Sequence, residues 1–171
     1  IVVYTNGILL DKYWDLMTNP KVHLLINCNS PSDIGGKCFQ RMERNLDKLF
    51  LDKQFHEQAT LGINMYSPMF QFDYLLTLLK RYDLHRVRVS LTVPNTDAGR
   101  NVDAHLYFKQ MKPRMFEFFH ALLSSEIIPN FDCNKIPHCL LSEDDLLSFK
   151  KYLDIPFIRN HIQLSNINNI R

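Results

Sequence analysis

Glycine is scarce, five in 171 residues, and no Gly-rich tract interrupts the chain. A phosphate-cradling loop, which draws on several closely spaced glycines, therefore has no candidate. Cysteine is equally sparse at four, too few for a disulfide scaffold in this length, so reduced thiols in a cytoplasm are the expectation. Neither sign of charge dominates: 20 Lys and Arg stand against 18 Asp and Glu, scattered along the chain. That balance argues against a nucleic-acid surface. No apolar run approaches the roughly 18 residues of a membrane span. No basic-then-apolar leader opens the sequence. Ser/His/acid order, His-Glu-x-x-His and Walker patterns are absent too. Paired carboxylates occur only in Glu143-Asp144-Asp145, most simply a cluster favoured by a helix N-terminus.

What is present is an ordinary globular composition, 46% apolar and 22% charged, long enough to bury the core of one domain. Strand-like and helix-like patterns alternate. Ile1–Tyr4 reads as a strand, followed by a helical pattern of Leu10, Tyr13, Trp14 and Met17. Val22–Ile26 is a second strand, and its helix carries Phe39, Met42, Leu46, Leu49 and Phe50 on one face. Thr60–Tyr66 is a third, with Phe72, Leu75, Leu76 and Leu79 aligned behind it. Arg86–Val93 is a fourth, followed by Met111, Met115, Phe118, Phe119 and Leu122. Pro113 fits the first turn of that helix or a kink in it. Ile127–Phe131 is a short fifth strand. Ser142 is then the N-cap of a last helix, with Asp145 at N3 and Leu146, Phe149 and Leu153 inward. The tail, Asn160–Arg171, is Asn-rich and weakly patterned.

Strands alternating with helices predict βα units and a mainly parallel α/β sheet. The strands themselves alternate in polarity. Val87, Val89, Leu91 and Val93 share one side of the fourth, and Arg86, Arg88, Ser90 and Thr92 the other. A doubly wound sheet, buried on both faces, would read as continuous apolar runs instead. The pattern therefore predicts part of a TIM-like barrel with a polar inner face, or, more simply, a sheet open to solvent. Longer loops follow the strands than precede them, which places a site at the strand C-termini.

Several segments, taken in order, carry a resemblance. Ile1-Val2-Val3-Tyr4-Thr5-Asn6-Gly7 is a strand ending in a Thr-Asn-Gly turn. Asn27-Cys28-Asn29-Ser30 closes the second strand, and Leu61-Gly62-Ile63-Asn64 and Arg86-Val87-Arg88-Val89-Ser90 form the next two. Asp132-Cys133-Asn134-Lys135-Ile136-Pro137-His138-Cys139 follows the fifth. Together they resemble the radical S-adenosylmethionine enzymes that carry a cysteine-bearing C-terminal extension. The resemblance implies that Ile1–Tyr4 is the third strand of a part-barrel. Residues 1–126 would be its later βα units, and 127–171 the start of the extension. It implies S-adenosylmethionine and a 4Fe–4S cluster as cofactors of a parent oxidoreductase acting on an unknown substrate. Thr5, Asn6, Gly7, Asn27, Asn29, Asn64, Arg88 and Ser90 would line the cofactor site, and Cys133 and Cys139, beside His138, would form half of an auxiliary cluster site.

One departure is large. The defining Cys-x3-Cys-x2-Cys motif is absent: nine residues separate Cys28 from Cys38, and five separate Cys133 from Cys139. The expectation is accordingly a fragment that holds no cofactor and is inactive alone, with its first strand exposed to pairing in a homodimer. Each polar residue also has a plainer reading: Asn27, Asn64, Arg88 and Ser90 as solvated face, Gly7 as a left-handed turn, Cys28 and Cys38 as loop or core thiols. The rival to the enzyme is a non-enzymatic α/β ligand-binding or interaction domain. Partners are expected to be a small-molecule cofactor, with neither nucleic acid nor membrane.

Overall fold

The structure, a computed structural model, describes residues 1–51, 55–92, 103–131, 142–145 and 147. β-Branched and apolar residues form β1 (Val2–Thr5), β2 (His23–Asn27), β3 (Ala59–Met65), β4 (Arg86–Leu91) and β5 (Ile128–Phe131). Between them lie α1 (Trp14–Met17), α2 (Pro31–Ile34), α3 (Gly36–Phe50), α4 (Asp73–Arg81) and α5 (Ala104–Ser124). The strands form one sheet in the order β1-β2-β3-β4-β5. β1 runs parallel to β2 with Val2 opposite His23, and β2 runs parallel to β3 with Leu24 opposite Ala59. The architecture is a mainly parallel α/β sheet of alternating βα units.

By contact the chain divides into two units, Ile1–Asn64 with Gln71–Arg88, and Met65–Phe70 with Val89–Arg171. In the first, α3 turns Met42, Leu46, Leu49 and Phe50 inward at i, i+4, i+7 and i+8, all buried. α4 buries Leu75, Leu78 and Leu79. Leu76, expected inward, is only half-buried, and Leu78 takes that place. In the second unit, α5 buries Met111, Met115, Phe118, Phe119 and Leu122 as the spacing predicts. Pro113 sits well inside α5, not in its first turn, and is exposed.

The first helical pattern yields less than it promised. Leu10–Tyr13 is a 3₁₀ turn running into the single turn of α1, and neither start has a capping side chain. Leu10 is buried, but Tyr13 is 55% exposed. Pro20 follows closely and cannot donate to a continuing helix. Three expectations fall in or beside the undescribed residues: Val93, the inward set Leu146, Phe149 and Leu153, and the segment 132–141. The predicted cap itself is present. The Asp145 N–H donates to Ser142 Oγ at 3.2 Å, and the Ser142 N–H donates back to Asp145 Oδ2 at 2.7 Å. No helix among the described residues is long and apolar enough to cross a membrane.

Candidate functional site

The alternation of each strand sorts its side chains onto two faces. Leu24, Ile26, Leu61, Ile63 and Val87 are buried on one. On the other face of the first unit lie Tyr4, Asn27, Gly62, Asn64 and Arg88. Arg88 lies across this face. Its Nη1 donates to Asn27 Oδ1 at 2.6 Å, two strands away in the sheet order. Its guanidinium carbon stands 5.4 Å from the centre of the Tyr4 ring, within cation–π range.

Gly62 explains how a side chain rooted on β4 can reach β2. A Cβ at Gly62 would stand 3.1 Å from both Arg88 Cβ and Arg88 O, and 3.3 Å from Nη1. The empty position on the central strand is filled by the arginine. An isolated Gly in a strand pattern is the sequence sign of such a close approach. The role of Gly62 was nonetheless missing from the sequence reading. Nearer the start of the strands, His23 Nε2 lies 3.3 Å from Thr60 Oγ1 on the same face.

Asn64 lies one pleat beyond Gly62 and is half-buried, as is Asn29 in the loop after β2. Ser90, two residues after Arg88 on β4, belongs to the second unit and is buried, where its place in the alternation predicts a polar, open side. The Thr-Asn-Gly turn spends its polar atoms on itself. The Gly7 N–H donates to Thr5 Oγ1 at 3.1 Å, and the Ile8 N–H donates to Asn6 Oδ1 at 3.2 Å. Gly7 has φ 76°, and a Cβ there would meet Ile26 Cγ2 at 3.1 Å. Asn45 secures the turn from α3, its Nδ2 donating to Gly7 O at 2.9 Å and Ile8 O at 3.1 Å. Asn45 escaped the sequence reading. Its signal was a polar residue on the inward stripe of α3, beside Met42, Leu46 and Leu49.

Cys28 is a core thiol. Burial raises its pKa to about 12, against a lesser pull from the Gly62 backbone, so little thiolate exists at neutral pH. Its carbonyl accepts from Tyr74 Oη at 2.6 Å, tying the end of β2 to α4. Ser30, which closes the Asn27-Cys28-Asn29-Ser30 segment, is buried and caps α2 in a reciprocal box with Asp33. Cys38 is exposed. Cys133, His138 and Cys139 lie outside the described residues. Among the described residues no three His, Cys, Asp or Glu side chains group closely enough to hold a metal ion. Compared with protein-family models, curated proteins and solved structures, the chain matches none.

Proposed function

We propose that the chain is the later part of a radical S-adenosylmethionine-type part-barrel, with β1 to β4 as its third to sixth strands and the face of Asn27, Asn64 and Arg88 turned to the adenosyl ligand. The observation that supports this reading most is the strand order. A doubly wound sheet reverses order at a switch point, whereas a barrel adds each strand beside the one before it. The order β1-β2-β3-β4-β5 has no reversal.

The proposed ligand residues fit unequally. Asn27 and Arg88 supply an amide and a fixed cation on one face, the groups that ligand hydroxyls and a carboxylate require. Thr5, Asn6 and Gly7 fit as builders of the turn rather than as contacts, their hydrogen bonds being internal. S-Adenosylmethionine with a 4Fe–4S cluster supplies reductive cleavage and a hydrogen-abstracting radical. This chain's share is to bind and orient: Asn27 Oδ1 holds the Arg88 guanidinium in place, and Gly62 leaves it room. Cys133 and Cys139 are proposed for an auxiliary cluster completed by residues elsewhere.

The gene tests the reading first. A Cys-x3-Cys-x2-Cys motif is expected roughly 60–90 residues upstream of Ile1, at about 30 residues per βα unit. The full gene product, reconstituted anaerobically with iron and sulfide, should convert S-adenosylmethionine to 5′-deoxyadenosine, and Arg88→Ala should lower its affinity for that ligand. A gene without the motif would exclude the proposal. A second reading, a non-enzymatic interaction domain, draws on Val2 and Tyr4, which are 56% and 59% exposed on the same face as Arg88.

A further inference from the structure

We infer that Thr60 and Arg86, with His23 orienting the threonine hydroxyl, form a binding site for a phosphoryl group on the polar face of the sheet. The inference uses that face but not the ligand proposed for it above, and its residues lie on β2, β3 and β4. Thr60 stands beside Leu25 in the β2–β3 ladder. On the other side of β3, Gly62 lies against Arg88, and the Thr92 N–H donates to Met65 O at 3.0 Å. That parallel register sets Thr60, two residues before Gly62, beside Arg86, two residues before Arg88. Val87 is buried on the opposite face, whereas Arg86 is exposed on this one. His23 reaches the same place from β2, its Nε2 3.3 Å from Thr60 Oγ1.

Charge favours an anion here. No Asp or Glu occurs in β1 to β4, and among the described residues no carboxylate pairs with Arg86. Arg88, about 7 Å along the strand from Arg86 at the backbone, is a second cation on the same face, held by Asn27 Oδ1. Two guanidinium groups this close repel each other, and an anion between them is attracted to both. The donors select phosphate over carboxylate. The Arg86 fork takes two ligand oxygens, and the Thr60 hydroxyl, rising from the neighbouring strand, takes a third that a carboxylate does not have. His23 acts through Thr60. With hydrogen on Nε2 it donates to Thr60 Oγ1, which leaves the hydroxyl proton for the ligand.

Titration calorimetry of the 171-residue chain at low salt, where screening is weak, tests the site with three probes: inorganic phosphate, phenyl phosphate and malonate. Both phosphates should bind, and malonate should bind more weakly than either. The tighter of the two phosphates tells a free anion from the phosphoryl group of a monoester. Arg86→Ala and Thr60→Val should each weaken phosphate binding about tenfold, the loss expected for one charge-assisted hydrogen bond. Thr60→Ser, which keeps the hydroxyl, should bind as the parent does. Arg44→Ala, at an exposed cation on α3, should change nothing. His23→Ala should weaken binding in the parent but not in the Thr60→Val background, because its effect passes through that hydroxyl. If Thr60→Val fails to fold, the comparison of Arg86→Ala with Arg44→Ala decides alone. No phosphate binding, an equal loss in Arg44→Ala, or malonate binding as tightly as phosphate would each overturn the inference.

Discussion

Gly62 occupies the middle of a buried strand, a position where a side chain normally contributes packing and glycine costs conformational entropy. Here the missing Cβ is what the neighbouring strand uses. Arg88 Cβ and O both stand 3.1 Å from where it would be, and the carbonyl, unlike a side-chain end, cannot swing aside. Gly62→Ala is therefore an overpacking substitution in the sheet itself, expected to cost roughly 1–3 kcal/mol despite its small size. Urea unfolding of the variant should show a lower midpoint with an unchanged slope. Adding Arg88→Ala should restore only part of the loss, since the backbone contact persists. Asn45 illustrates the opposite economy. It is a buried polar side chain that both carbonyls of the Gly7–Ile8 turn engage, so Asn45→Leu would leave those carbonyls without their donor.

Two helices end alike. After α4, Asp83 takes φ 54° and the Leu84 N–H donates to Leu79 O at 2.9 Å; after α5, Glu126 takes φ 57° and the Ile127 N–H donates to Leu122 O at 2.9 Å. Both are Schellman-type stops in which a carboxylate residue holds the left-handed position usually given to glycine. Asp tolerates that conformation better than Glu. Glu126→Gly should accordingly stabilise the protein by up to about 1 kcal/mol, and Asp83→Gly by less. Thermal unfolding of the two variants side by side would rank them.

At the other kind of helix end, Asp145 is lowered in pKa. Burial works against its ionisation, but hydrogen bonds from the Lys112 ammonium, 2.8 Å away, and from the Ser142 N–H and hydroxyl outweigh it. Its carboxylate thus stabilises the cap above the unfolded value near 3.9, and that contribution is lost as pH falls through the lowered folded value. Amide exchange at Asp145, compared between pH 6 and pH 3, should accelerate beyond the intrinsic pH effect. Asp145→Asn should abolish the difference.

Across the molecule, the elements with a long one-sided stripe were largely legible in the sequence: α5 buries the residues that its spacing selects, α3 buries its stripe except for the half-buried Phe39, and β4 alternates from Arg86 to Val89 until Ser90, on its polar side, is buried as well. Pattern fails where the deciding partner is remote. Alternation assigns Arg88 to a face, but only the pairing of β3 with its neighbours reveals that Gly62 opens the way to Asn27. The turn at Gly7 depends on Asn45, 38 residues later. The short helix after β1 failed for the reverse reason, since its apolar spacing has no cap to start it and a proline soon after it. The ordering of the strands has one more consequence, for how the protein is made. Each strand lies beside the one synthesised before it, so no strand must wait on the ribosome for a distant partner. Pairs such as Val2 with His23 and Leu24 with Ala59 close loops of a few tens of residues, which keeps contact order low for a parallel sheet. The sheet can therefore grow one strand at a time as the nascent chain emerges, its advancing edge always the newest strand.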